Sequence, residues 1–245
     1  MSDLHFRARN MSSVTVDLAE VLGTVRRPGD FFVSGTAEML APRLEVEGVG
    51  IVALPLLEMQ ARQLITAAER APFGRGEDTI VDTSVRRTWQ ISAERVQISG
   101  KHWAQTLAGI LERVATGLGV AEPVSAELYK LLVYDEGSFF VGHRDTEKVP
   151  GMFATLVIVL PSISSGGELL VRHKRREVRL DLACEEPSEA SLAAFYADCV
   201  HEVLPVTSGC RLTLVYNVLR AGKAALPKPP DYTLATLRQL FVVRH

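Results

Sequence analysis

Apolar and polar residues alternate along this chain with two different periods. Leu57, Ala61, Leu64, Ile65 and Ala68 recur at the spacing of one helix face, which predicts an amphipathic helix over 56–70. Trp103, Leu107, Ile110, Leu111, Val114 and Leu118 mark a second, clearer face, and Gly119 is placed to end it. Between them, Pro72, Gly74 and Gly76 make 72–78 read as a loop. Upstream, Leu44, Val46 and the run Ile51 to Leu54 read as short strands split by Gly48 and Gly50.

After Glu122-Pro123 the period becomes strand-like. Strands are predicted over 126–134, 139–145, 152–160, 167–172, 177–182, 192–197, 199–205 and 210–219, with turns at Gly137, Pro150-Gly151, Gly166-Gly167, 186–188 and Ser208-Gly209. Many short strands with frequent turn signals point to a sandwich, a barrel or a jelly roll. The organisation expected is a loosely packed segment over 1–30, an α/β support region over 31–125, a β core over 126–220 and a tail over 221–245. The tail carries Pro227, Pro229 and Pro230 and a short helix at 233–242.

Composition narrows the class. Of 245 residues, 47% are hydrophobic and 23% charged, which is ordinary for a globular protein with a core. The formal net charge of −2 supplies no basic field for nucleic acid, so no nucleic-acid partner is expected. The longest apolar run, Met152 to Leu160, is too short to span a membrane as a helix and reads as a buried strand. Three irregularly spaced cysteines, Cys184, Cys199 and Cys210, do not form a disulfide framework and fit a reducing, cytoplasmic setting. Asp3, His5, Arg7 and Arg9 with no apolar stretch behind them do not read as a signal peptide.

The chemistry concentrates in three places. On a strand, His143 and Asp145 would point to one face and aim an imidazole and a carboxylate at one spot. A third ligand must come from elsewhere, and His201 lies 56 positions after Asp145 on another predicted strand. Two histidines and a carboxylate are the facial triad of non-haem iron oxygenases, which leaves one side of the metal open. Alone, a His-x-Asp triplet is commonly an accidental surface pair. Ten residues beyond His201, Arg211 shares a predicted strand face with Thr213, and the apolar flanks Leu212 and Leu214-Val215 bury it. A buried guanidinium needs an anion, and a dicarboxylate chelating the metal at one end would need such an anchor at the other.

These segments resemble a known family. The run Tyr134-Asp135-Glu136-Gly137-Ser138-Phe139-Phe140-Val141-Gly142-His143-Arg144-Asp145 is similar to the metal-binding motif of the prolyl 4-hydroxylase-like branch of the 2-oxoglutarate/iron(II) oxygenases. The blocks from His201 to Val206 and from Ser208 to Arg211 resemble its distal histidine and arginine, and Gly166-Gly167-Glu168 its glycine-rich turn. The resemblance spans about 126–220. It implies a mostly β fold with α: a double-stranded β-helix (jelly roll) core, here buttressed by N-terminal helices. It also implies hydroxylation of a C–H bond coupled to decarboxylation of 2-oxoglutarate to succinate. By it, His143, Asp145 and His201 hold Fe(II), Arg211 pairs with the far carboxylate of 2-oxoglutarate, and Tyr134 and Thr213 assist. O2 is the second co-substrate and ascorbate a reductant. Phe140 stands where the family often has tyrosine, so it packs and has no polar role.

Other residues carry weaker expectations. Arg172, in the basic run 172–176, sits nearest the barrel mouth, and Arg86 and Trp89 lie in a polar segment that would cover the site, so these three are candidate substrate contacts. The bland alternatives are a solvated hairpin for the run and a core position for Trp89. Lys130 shares parity with Leu132 and Tyr134, which would point it toward the pocket, but it reads rather as a lysine snorkelling at the strand edge, Arg211 being better placed as the anchor. Cys199 shares parity with His201 and reads as a small filler, while Asn217 lies on the Arg211 face. The prime substrate is a protein or peptide, with a prolyl residue one option, or a small molecule. Two other readings stay open: a non-catalytic jelly-roll module binding a metal or small acid, and a cupin-type metalloenzyme that does not use 2-oxoglutarate.

Overall fold

The computed structural model describes residues 29–40, 42–75 and 78–220. Strands β1 (Phe32–Glu38), β2 (Arg43–Val46) and β3 (Gly50–Val52) precede helix α1 (Glu58–Ala67). Six short strands follow: β4 (Glu69–Arg70), β5 (Phe73–Arg75), β6 (Asp78–Ile80), β7 (Arg86–Arg87), β8 (Trp89–Ser92) and β9 (Val96–Ser99). After helix α2 (Trp103–Leu118) the chain is β: β10 (Val124–Asp135), β11 (Phe139–His143), β12 (Met152–Leu160), β13 (Ser164–Gly166), β14 (Leu169–His173), β15 (Arg176–Leu180), β16 (Glu189–Tyr196), β17 (Val200–Val203) and β18 (Val206–Arg220).

Two sheets organise these strands. The larger runs β1-β16-β12-β18-β10-β8-β4, with β13 also on β18, and the smaller runs β15-β14-β17-β11-β7. All pairings within them are antiparallel. Strands β12 and β16 are apolar almost without interruption, and β18 is buried from Arg211 to Arg220, which suits strands covered on both faces. One core joins Leu156, Ile158 and Leu214 of the larger sheet to Leu169 and Val171 of the smaller. This is the jelly roll, in which two sheets enclose one interior.

Helix α2 covers the larger sheet from outside. Its stripe of Trp103, Ile110, Val114 and Leu118 is buried, and burying each aliphatic member contributes about 1.5–3 kcal/mol. Gly119 ends the helix in the left-handed conformation, φ +74°. The freed Leu118 carbonyl accepts a 2.7 Å bond from the Tyr196 hydroxyl, which ties the helix to β16.

Three expectations need correction. Residues 72–78 are not a simple loop, because β5 and β6 pair as a two-stranded ladder from Phe73–Ile80 to Arg75–Asp78. The same glycine and proline signals mark hairpins and loops alike. Helix α1 is shorter than 56–70, since residues 69–70 join β8 instead. Strand β11 stops at His143, so Asp145 does not share a strand with it. Ladder contacts there are few, and the register slips between Phe140 and His143. The expected segment over 1–30 and the helix at 233–242 fall, apart from residues 29 and 30, outside the described residues.

Candidate metal centre

Register places the two histidines. His143 at the end of β11 and His201 on β17 are direct cross-strand partners, with ring centroids 4.1 Å apart. The chain past β11 then carries the Asp145 carboxylate back toward both rings. Oδ1 lies 3.9 Å from His143 Nε2, and Oδ2 lies 3.7 Å from His201 Nε2. One ligand atom from each residue falls within 4.8 Å of the others. The three side chains thus meet although one of them left the strand.

Their surroundings fix tautomer and charge. His143 Nδ1 donates to the Val141 carbonyl at 3.0 Å, and His201 Nδ1 to the Cys199 carbonyl at 3.3 Å. Each bond puts the ring proton on Nδ1 and leaves the Nε2 lone pair facing Asp145, as in most metal-binding histidines. Burial pushes both imidazole pKa values down and outweighs the pull of Asp145. Burial works against the Asp145 carboxylate too. His201, a 2.6 Å hydrogen bond from the Thr155 hydroxyl, His143 and Lys148 overcome it and hold its pKa below the usual carboxylate range. Neutral imidazoles beside an ionised carboxylate are the protonation states a divalent cation requires. Packing holds the rings, with Phe140 stacked on His143 at 3.5 Å and Phe195 against His201 at 4.5 Å.

A cavity of about 80 Å³ opens on this cluster. Besides the triad, its polar lining includes Arg86, Tyr129, Lys130, Tyr134, Thr155 and Asn217, and Lys148 lies at its exposed edge. The apolar remainder includes Leu132, Val157, Val203 and Val215.

Arg211 and Thr213 share a face of β18 with Val215 and Asn217, which line the cavity, but do not line it themselves. Arg211 is 3% exposed. Its Nη1 bonds the Gly167 carbonyl, and Nη2 bonds that of Gly166 at 2.6 Å. Both glycines have positive φ, and a Cβ on Gly167 would stand 3.1 Å from the guanidinium and 2.7 Å from Val206. The glycine turn therefore clears space for the arginine. Arg211 Nε and Thr213 Oγ1 are buried without a protein partner. Tyr134 sits opposite Arg211 and Leu132 opposite Thr213 in the β10–β18 register, so Tyr134 joins this end to the cavity.

Of the three candidate substrate contacts, only Arg86 reaches the cavity. Arg172 is held by Glu177 and by Glu202 at 2.9 Å. Trp89 lies elsewhere, beneath the Arg70 guanidinium at 3.4 Å. Lys130, expected at a strand edge, is 8% exposed and lines the cavity. The β10 bulge lies before Lys130, between Leu128 and Lys130, so Lys130 keeps its parity with Leu132 and Tyr134 and faces the cavity with them instead of snorkelling at the edge. Thr155, Tyr129 and Lys148 had no sequence signal, since their roles come from strands and loops packed together from afar.

Residues 129–219 match the family model described as the 2OG-Fe(II) oxygenase superfamily. A Pseudomonas putida prolyl-4-hydroxylase has a similar structure at 19% identity, covering 84% of this chain and 100% of that one, with a TM-score of 0.49. A Trichoplax adhaerens prolyl hydroxylase, solved with a hypoxia inducible factor peptide fragment, gives 15%, 88%, 93% and 0.48. A viral collagen prolyl hydroxylase from Paramecium Bursaria Chlorella virus-1 gives 14%, 79%, 98% and 0.42. No curated protein matches the chain in sequence.

Proposed function

We propose that this chain, whose residues 129–219 match the family model of the 2OG-Fe(II) oxygenase superfamily, is an oxygenase that hydroxylates a C–H bond of a prime substrate. In the overall reaction one oxygen atom of O2 enters the new hydroxyl, and the other enters succinate as 2-oxoglutarate loses CO2. His143, Asp145 and His201 are the metal ligands. The observation that carries this reading is their convergence within 4.8 Å, with each imidazole Nδ1 facing a backbone carbonyl.

Fe(II), when bound, supplies the redox chemistry that activates O2 for attack on an unreactive C–H bond. The chain's own residues do the rest. Three ligands on one side leave the cavity side for co-substrates. Thr155 orients the Asp145 carboxylate, and Phe140 and Phe195 keep the rings from turning. The far carboxylate of 2-oxoglutarate goes to the Arg211 end, where Tyr134 lines the cavity and Thr213 adds a hydroxyl. The unpartnered buried Arg211 Nε and Thr213 Oγ1 support that assignment, because buried polar atoms without partners are costly unless a ligand completes them. The apolar wall of Leu132, Val157 and Val215 limits water around the bound acid.

The motif resemblance over 134–145 favours a prolyl or other protein residue as substrate, with ascorbate as reductant, and the three irregularly spaced cysteines favour the cytoplasm as the setting. Among the described residues no helix is long and apolar enough to cross a membrane. The test is turnover of labelled 2-oxoglutarate to succinate with Fe(II), O2 and ascorbate. Asp145→Ala should abolish it while leaving the fold intact. Undiminished succinate formation by a folded Asp145→Ala protein would exclude this metal centre.

A further inference from the structure

Two basic side chains in the cavity are left over by this account. Arg86 and Lys130 are 7% and 8% exposed, and both line the space that His143, Asp145 and His201 face. Their direct contacts are all with neutral groups. Arg86 donates to the Pro72 carbonyl at 2.8 Å and lies 4.3 Å over the Phe140 ring, while its Nε is buried with no partner. Lys130 donates to Gln90 Oε1 at 2.8 Å and lies 4.2 Å from the Tyr129 ring centre. The exposed Glu69 touches Gln90, not Lys130.

Charge accounting makes these contacts insufficient. Buried cations ordinarily have anionic partners, because removing an ion from water costs several kcal/mol. The carboxylate lining this cavity is Asp145, and that one is committed to the metal cluster. A divalent ion and a doubly ionised 2-oxoglutarate cancel each other. A positive surplus therefore persists in the loaded site, even before Arg211 and the exposed Lys148 are counted. Lys130 registers the strain, with its pKa driven down to about 7 by burial first and by Arg86 and Lys148 next. Beside them, Asn217 Oδ1 is also buried and unpartnered.

We infer that Arg86 and Lys130 form a subsite for an anionic group of the prime substrate, and that this substrate bears a carboxylate close to the C–H bond it presents to the metal. This inference rests on the oxygenase reading above. A guanidinium on β7 of the smaller sheet and an ammonium on β10 of the larger hold a carboxylate from two directions. The Arg211 end stays with the co-substrate, so the two anions do not compete. A free amino acid and a peptide with an acidic or terminal carboxylate share this chemistry.

The test uses the full protein loaded with Mn(II), with and without 2-oxoglutarate. The probes are N-acetylglycine, which has a carboxylate, and N-acetylglycinamide, which does not. Relaxation of the acetyl protons by the paramagnetic ion reports occupancy near the metal. The acid should be relaxed and the amide not. Arg86→Gln and Lys130→Met should each weaken the acid's binding about tenfold or more, while Arg86→Lys retains it. A parallel titration should show 2-oxoglutarate affinity weakened by Arg211→Gln and little changed by Arg86→Gln. Equal relaxation by both probes, or unaltered binding in both variants, would make the pair a structural feature. Loss of 2-oxoglutarate affinity in Arg86→Gln but not in Arg211→Gln would move the pair to the co-substrate and overturn the assignment. Because the acid's preference is also read with Mn(II) alone, failure of 2-oxoglutarate to bind sinks the oxygenase reading and leaves this result to stand or fall by itself. An N-acetylated dipeptide that binds as well as N-acetylglycine identifies a peptide source, and one that does not identifies a free acid.

Discussion

Thr155 shows how much the candidate metal centre depends on a residue that is not one of its three proposed ligands. Its hydroxyl reaches Asp145 Oδ2 at 2.6 Å from the middle of β12. Asp145 lies beyond the end of β11, so no ladder fixes its side chain. Orienting partners of this kind are commonly worth 10–100-fold in metal affinity. Thr155→Val keeps the shape and removes the bond. It should weaken Fe(II) or Mn(II) binding by about that factor with little loss of thermal stability, as titration against a competing chelator would measure. Gly167 acts at the same scale, because a side chain there would press on the Arg211 guanidinium, while one on Gly166 would meet the Pro205 carbonyl.

At the scale of elements, the sequence was legible where one period ran long enough. Helix α2 matches its predicted stripe from Trp103 to Leu118, including the terminating Gly119, and β12 matches 152–160 end to end. Both are long, and each is apolar in the pattern of its own geometry. Short elements were not legible. Strands β7 and β4 are two residues each and exist because β11 and β8 offer free edges. Strand β1 escaped notice because its half-buried pattern is weak, yet it closes one edge of the larger sheet against β16. The metal cluster was readable as residue types and spacing. The stated reason, one strand face for His143 and Asp145, was not how it forms: the β11–β17 register brings the histidines together and a loop returns the carboxylate. Of the cavity's cations, Arg86 was legible as part of a covering segment and Lys130 through its parity with Leu132 and Tyr134, but not their meeting, since they come from strands of different sheets.

For the molecule as a whole, the buried Lys130 links the cavity to global stability. Its pKa falls from the ordinary 10.5 to about 7, through burial first. The unfolded chain therefore binds more protons than the native state between those two values, and stability rises with pH across that window. Below about pH 7 lysine is protonated in both states, and the full cost of burying it is present. Lys130→Met should make the metal-free protein more stable than wild type near pH 6, by a few kcal/mol. The advantage should shrink as pH rises toward 10.5, as denaturant midpoints across that range would record. An anionic ligand in the cavity would offset this cost, and the same jelly roll that holds the triad holds this charge beside the same cavity.

In the function proposed here, His143, Asp145 and His201 would hold one metal ion at which 2-oxoglutarate binds in the cavity. Anaerobic titration of the protein with Fe(II) and 2-oxoglutarate, following the visible metal-to-ligand absorption band, tests it most directly. The account predicts a band that needs both additions, saturates at one iron per chain and vanishes in His201→Ala. A wild-type protein that shows no band, or a His201→Ala protein that keeps it, would contradict the account.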